Sequence, residues 1–397
     1  MQIEVAKRDL EAALKIAASA MASGQTTDLQ SHYVFRETGG KVQVLTNTHR
    51  TFCGAPLTCQ VDGTGAFSVE GWRLRQWLQA VGDVSLTFKF KDGVVEASSP
   101  RGSMTFPSLD PANYPWFDDN IESAEIVSTL NAARLAQVFG YLQPLILDRE
   151  GTHAQMSLTE VNEGSLYATN LESMTMIRMS DPTADGDSPL TLGSSELRIH
   201  VKDVGSVVGF LKQDSDAKVE ILEDKGKCVM FRREDGSVFG TSRPNFGNPA
   251  LGREVPKFPK DVSVDAGDNS FFEVSVDEIS SGITWLSAGA KRDATSVRFR
   301  WVDNDSLVMA MESASGGEIK LPIDAIEHDG LDTGFPSTGF KVPYSYISLL
   351  TKHFKADKVR FGIQSKLDED GAHTGKGYIR FRNEAGGDVY QTLLAWL

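Results

Sequence analysis

Three short strings in this 397-residue chain hold residue types that could do chemistry. Gly371-Ala-His-Thr-Gly-Lys-Gly377 has the glycines and lysine of a phosphate-wrapping loop. It is one residue short between its glycines and puts Gly377 where a magnesium-binding hydroxyl belongs. Asp368-Glu-Asp-Gly371 crowds three acids without the alternate spacing and closing Glu of a calcium loop, and reads as a solvated hairpin tip. Asn304-Asp-Ser306 matches a glycosylation sequon, which has no consequence without secretion. The seven histidines are scattered, with no His-Glu-x-x-His pair. Cys53, Cys59 and Cys228 lack Cys-x-x-Cys spacing, as expected of reduced thiols. The expectation is a non-catalytic chain with no metal and no cofactor.

The remaining chemistry is charge. The chain carries −14, yet six stretches with helical periodicity (7–21, 71–82, 131–143, 202–213, 277–292 and 344–355) together carry +7, which leaves −21 elsewhere. Solvated helix faces favour Lys and Arg in any protein, but Glu is an equally good helix former and is nearly absent here. Lys15, Arg134, Lys202, Lys212, Lys352 and Lys355 are therefore candidates for a basic inner surface within an acidic shell, where phosphates would bind without regard to sequence.

The elements that must position these cations recur in a fixed order of helix, strands, helix, strands, three times over. A period of this length is too long for a solenoid and marks complete domains, with boundaries at 1–122, 123–268 and 269–397. Between the helices, Val84–Phe90, Lys218–Leu222 and Lys358–Ile363 alternate with period two, as strands with one buried face do. Lys91-Asp-Gly93, Asp224-Lys-Gly226, Asp235-Gly236 and Gly386-Gly387 turn the chain back into antiparallel hairpins. The predicted class is α+β, two helices per domain packed on antiparallel sheets. Trp72 and Trp77 lie five residues apart, off a common helical face, and read as core or domain-packing residues. No apolar run approaches the ~18 residues that span a bilayer, and Met-Gln-Ile-Glu-Val is not a leader, so a cytoplasmic protein without membrane contact is expected.

Several strings, in order along the chain, resemble the bacterial sliding clamp, the β subunit of DNA polymerase III. Phe106-Pro-Ser-Leu-Asp-Pro-Ala-Asn-Tyr-Pro115 is similar to the family's Leu-Pro-Ala-x-x-Phe-Pro segment. Tyr167-Ala-Thr-Asn170 resembles its Val-Ala-Thr-Asp stretch, and Gly339-Phe-Lys-Val-Pro-Tyr-Ser-Tyr-Ile347 its Gly-Phe-Asn-x-x-Tyr-Leu-Leu helix entry. The chain departs from the family where partners bind. Leu171-Glu-Ser-Met174 replaces Gly-His-Arg-Leu, and the end reads Leu393-Leu-Ala-Trp-Leu397 instead of Met-Pro-x-Arg-Leu. Such divergence suits a clamp coevolved with its own polymerase or loader, phage-encoded forms included.

The resemblance implies a processivity factor: three clamp domains per chain, a head-to-tail homodimer closed into a ring, and duplex DNA held inside. It puts Arg73, Met104 and Phe106 at the dimer interface. It also implies a pocket of Thr169, Leu171, Met174, Pro249, Leu393, Leu394 and Trp396 between the second and third domains, where short linear peptides of the polymerase and clamp loader dock. Two other classes stay open: a non-encircling acidic decoy of the same fold, and a carboxylate-based hydrolase, which a pocket with two converging acids would favour.

Overall fold

The computed structural model describes residues 1–22, 28–111, 114, 117, 121–143, 153–157, 165–169, 173–178, 197–214, 216–224, 227–242, 270–292, 294–302, 306–329, 339–344, 347–348, 351, 357–367, 373–385 and 388–396. In chain order its elements are β1 (Gln2–Ala6), α1 (Lys7–Ala17), β2 (His32–Thr38), β3 (Lys41–Asn47), β4 (Thr51–Leu57), β5 (Gln60–Asp62), β6 (Ala66–Glu70), α2 (Gly71–Ala80), β7 (Ser85–Lys91), β8 (Val94–Ser99) and β9 (Gly102–Pro107). A second pass gives β10 (Glu125–Asn131), α3 (Ala132–Leu142), β11 (His153–Ser157), β12 (Ser165–Thr169), β13 (Ser173–Arg178), β14 (Leu197–His200), α4 (Val201–Leu211), β15 (Lys218–Asp224), β16 (Cys228–Arg233) and β17 (Val238–Ser242). A third gives β18 (Ser270–Ser275), α5 (Val276–Gly289), β19 (Ser296–Val302), β20 (Ser306–Glu312), β21 (Glu318–Ile323), β22 (Glu327–Asp329), β23 (Phe340–Pro343), helical residues 344, 347, 348 and 351, then β24 (Lys358–Leu367), β25 (His373–Ala385) and β26 (Asp388–Trp396). The triple repeat of the sequence is a triple repeat of elements.

Equivalent helices bury equivalent stripes. Leu10, Ala13, Leu14 and Ala17 of α1 are spaced to face one side. Ile279, Gly282, Ile283 and Leu286 stand at the same places in α5. Hairpin turns follow their residues: Asp92 (φ 54°) and Gly93 (φ 76°) both adopt the left-handed conformation that a two-residue turn between β7 and β8 requires. Gly339, from the string before the sixth helix, has φ 72°, and a Cβ there would collide with the Phe299 carbonyl.

The chain forms two compact units, Met1–Gly140 with Leu197–Asn245, and Tyr141–Glu196 with Phe246–Leu397. These units do not follow the expected boundaries at 122 and 268; each takes part of the second repeat, because sheets run through the boundaries. In the first unit β17 pairs with β4, joining β10-β15-β16-β17 to β4-β3-β2-β6. In the second, β13 pairs with β26 within the run β11-β12-β13-β26-β25-β24-β18-β22. We call these pairings the first and second seams. Two further sheets end on β9 (order β5-β1-β7-β8-β9) and on β21 (order β21-β20-β19-β23). The outer edges of β9 and β21 pair with no described strand.

Aromatic stacks fill both cores. Phe35 stacks on Phe67 at 4.9 Å in the first unit, and Phe272 on Phe361 at 4.7 Å in the second. Trp77 lies edge-on to Phe88 and Phe106, which makes it a core residue. Gly377 of the phosphate-loop string lies inside β25, opposite Ser365 and Trp396, so a strand stands where such a loop needs a helix. Asp368–Gly371 and Asn304 lie outside the described residues.

Candidate nucleic-acid interface and strand seams

Of the six candidate channel cations, four are described. Lys15 is exposed on α1, Lys202 is exposed in the first turn of α4 and Lys212 is exposed just past its end. Arg134 is half-buried in the first turn of α3, where its backbone N–H donates to the Asn131 side chain at 3.1 Å. Lys352 and Lys355 lie outside the described residues.

Between α1 and α2 runs a groove of about 360 Å³ floored by Leu14, Ala18 and Leu78, with Lys15 and Glu11 on one helix and Arg75 and Gln79 on the other. Tyr33 closes its base and is 1% exposed. Burial pushes the Tyr33 phenol up, and the positive charge of Arg75 partly offsets this. Lys15 and Arg75 lie in separate helical stretches of the sequence, and the packing of two helices brings them to one groove.

The first seam is locked by charge. The Arg50 guanidinium, in the turn before β4, contacts Asp203 of α4 at 2.6 Å and 2.7 Å. Thr241 of β17 donates to the other Asp203 oxygen at 2.8 Å. The outer face of this seam carries Val34, Leu45, Phe52, Met230 and Val238, and the linker's own Tyr114 and Phe117 are buried on it. Phe117 stacks on Phe52 at 4.1 Å.

At the second seam, backbone register sets Thr169 opposite Met174 and Met174 opposite Leu393, one row across three strands and one face. Leu394 and Trp396 alternate to the other face of β26, where Leu394 shares a row with Ile379. The five described pocket candidates therefore divide between two faces, and Leu171 and Pro249 lie outside the described residues.

The expected interface residues also separate. Met104 is 36% exposed on β9, whereas Phe106 is fully buried in the first unit's core and has no surface to offer a partner. The two share a face; α2, through Trp77, covers one and not the other. Arg73 pairs with Glu70 at 2.9 Å and lies over the Trp72 ring.

Among the described residues no three His, Cys, Asp or Glu side chains group as a metal site, and no helix is long and apolar enough to cross a membrane. Burial pushes the Cys53, Cys59 and Cys228 thiols up, Cys228 to about 12, so all three stay protonated near neutrality.

Neither a family model nor a curated protein matches the sequence. Solved structures do. The β subunit of DNA polymerase from Streptococcus pyogenes superposes with a TM-score of 0.77 at 13% identity, covering 100% of both chains. The DNA polymerase III β chain of Streptococcus pneumoniae gives 0.75 at 15%, covering 100% of this chain and 99% of that one. A Pseudomonas aeruginosa sliding clamp bound to griselimycin gives 0.75 at 11%, with the same coverage. From end to end the chain has the sliding-clamp fold.

Proposed function

We propose that this chain is a sliding clamp: two copies close head to tail into a ring around duplex DNA and tether a replicative polymerase, catalysing nothing themselves. The observation that carries the reading is that the two seams agree on how a third would form. Phe239 lies opposite Cys53 at the first seam and Thr392 opposite Thr175 at the second. Followed through the strand registers, Phe239 and Thr392 both correspond to Met104 of β9 and Cys53 corresponds to Ile319 of β21, as does Thr175 when the Ala168–Thr175 hairpin is matched to Thr46–Cys53 of equal span. Both seams thus predict an antiparallel pairing with Met104 of one copy opposite Ile319 of the next.

Side chains support this junction. Phe239 and Cys53 are fully buried at the closed seam, while Met104 is left half-exposed and Ile319 sits against Gly289 at the edge of its sheet. Trp285, 55% exposed on α5, holds the place that Ile16 has on α1 beside the first seam. Pro322 does not block the edge: it corresponds to Pro56, which lies beyond the stretch of β4 that pairs with β17. Arg73 corresponds to Asp203, the residue that clamps the first seam. Two chains supply six repeats, and closure removes the edges on β9 and β21. Helices lining the hole would offer cations to phosphates from several directions, an attraction that is salt-sensitive and lets DNA slide.

Polymerase and loader would dock through short peptides on the row Thr169, Met174 and Leu393. The first seam supports this chemistry by example, since its equivalent row is covered by the aromatics of the chain's own linker. Light scattering tests ring formation: the expected molar mass is twice the chain's 43.3 kDa. A monomer at micromolar concentration would contradict it and favour a non-encircling decoy.

A further inference from the structure

One row on the sheet face away from the helices carries a crossing segment in the first repeat and cations in the third. In the first, backbone register lines up Ser68, Val34, Leu45 and Gly54 across β6, β2, β3 and β4. The chain's own linker crosses this row. Ser68 exchanges hydrogen bonds with the Leu109 backbone at 2.9 Å and 3.0 Å, and Tyr114 and Phe117 pack on Val34 and Leu45. The Phe117 ring lies over Gly54, 3.6 Å from where a Cβ would stand. The same row in the third repeat is Lys341, Arg298, Ala310 and Lys320, across β23, β19, β20 and β21. Lys320 takes the place of Gly54 because Ile319 takes that of Cys53. Arg298 and Arg300 both reach over β20 to Glu318, at 2.8 Å and 3.2 Å, and Ala310 beneath is 2% exposed. The other acid of these strands on this face, Glu312, pairs with Lys291 at 3.6 Å. Lys320 and Lys341 are exposed and make no ion pair among the described residues. The face is positive in a chain that carries −14.

We propose that this face docks an acidic, extended segment of a partner protein, laid across the strands as the chain's own linker is laid across the first repeat. Lys320 stands where the Phe117 ring lies in the first repeat, so it excludes an aromatic anchor there and offers an ammonium to a carboxylate instead. Lys341 holds the place of Ser68, the residue that binds the crossing backbone. The two lysines are three strands apart, about 14 Å, which carboxylates about four residues apart in an extended chain would span. The arginines between them are already held by Glu318, so the lysines supply the uncompensated charge. Single-stranded DNA fits the face less well, because no aromatic side chain stands on this row to stack a base. The inference rests on the repeat correspondence and not on the ring.

The test is fluorescence polarisation of a short fluorescein-labelled peptide of alternating Glu and Ser, with the intact protein. Wild type should bind it at low salt and release it as salt screens the contacts. Lys320→Glu with Lys341→Glu should weaken binding about tenfold or more. Lys341→Glu alone, on the strand farthest from the β21 edge, should weaken it roughly threefold, and decides the matter if the double variant changes molar mass. Lys41→Glu with Lys227→Glu makes the same change of charge on exposed lysines of the first unit and should leave binding unchanged. Wild type that does not bind the peptide, or an equal loss in the Lys41 and Lys227 control, overturns the docking face and leaves the ring, read by its molar mass, untouched. Oligothymidylate that binds more tightly than the peptide and loses as much in the Lys320 and Lys341 variant overturns it too, by giving the face to single-stranded nucleic acid.

Discussion

Asp203 is 1% exposed and held by Arg50 at 2.6 Å, an ion pair that ties the first repeat to the second. Removing Arg50 leaves a buried carboxylate with only Thr241 and costs more than removing a surface charge. Arg50→Ala should destabilise the protein by about 2–3 kcal/mol in denaturant titrations, discounted from a fully buried pair because Arg50 is half-exposed. A loss under ~0.5 kcal/mol would mean that strand pairing alone holds the seam.

The predicted junction can be read by cross-linking. Met104→Cys with Ile319→Cys should give covalent dimers on mild oxidation, since directly opposed residues in an antiparallel pair bring Cβ atoms within ~4.5–5.5 Å. Ser103→Cys with Ile319→Cys puts the thiols on opposite faces and should not link. Equal yields from the two pairs would refute the register.

Met104 and Phe106 should respond differently to charge. Met104→Asp should give folded monomers, whereas Phe106→Asp should unfold the first unit, because it buries a carboxylate among Phe88, Trp77 and Val95. Circular dichroism with sedimentation separates the two outcomes.

Leu393 and Leu394 make a similar contrast at the second seam. Deleting the last five residues would remove the pairings of Leu393 and Leu394 with β13 and those of Ala395 and Trp396 with β25, so truncation loosens the sheet itself. Leu393→Lys is the cleaner probe and should abolish polymerase stimulation in primer extension with the ring intact. Leu394→Lys, on the face shared with Ile379, should lower the melting temperature instead. Normal stimulation by Leu393→Lys would move the docking site elsewhere.

Stability should fall in two acid steps. Burial pushes the His32 imidazole below its usual range, so its contribution is fully present above the unfolded value of about 6.5 and is lost as pH drops below it. Glu273 is pushed up by burial but more strongly down by hydrogen bonds from Lys358 and Arg360 at 2.6 Å and 2.8 Å. Its contribution is present above the ordinary value of 4.5 and is lost as pH falls through the lowered one. In melting curves, His32→Gln should flatten the slope between pH 7 and 5, and Glu273→Gln should flatten only the lower limb.

Periodicity and turn residues carry the helices and hairpins: the window at 131–143 is Ala132–Leu142 in the fold, and Asp92-Gly93 turns as its residues require. What sequence leaves hidden is long-range. Nothing local in Val238–Ser242 announces a pairing with Thr51–Gly54, so the seams, where one sheet takes strands from two repeats, are invisible in the sequence. Phe106 and Met104 look alike in a string, and only the reach of α2 decides which is buried. The linker aromatics Tyr114 and Phe117 read as loop in the sequence, because Phe52 beneath them is more than sixty residues away along the chain.

Encirclement is tested most directly by topology. The Met104→Cys, Ile319→Cys ring, loaded on nicked circular duplex and oxidised, should stay with the circle after heating in SDS and leave once the circle is cut to linear form. Protein that leaves the intact circle in SDS, despite complete cross-linking, would contradict the account.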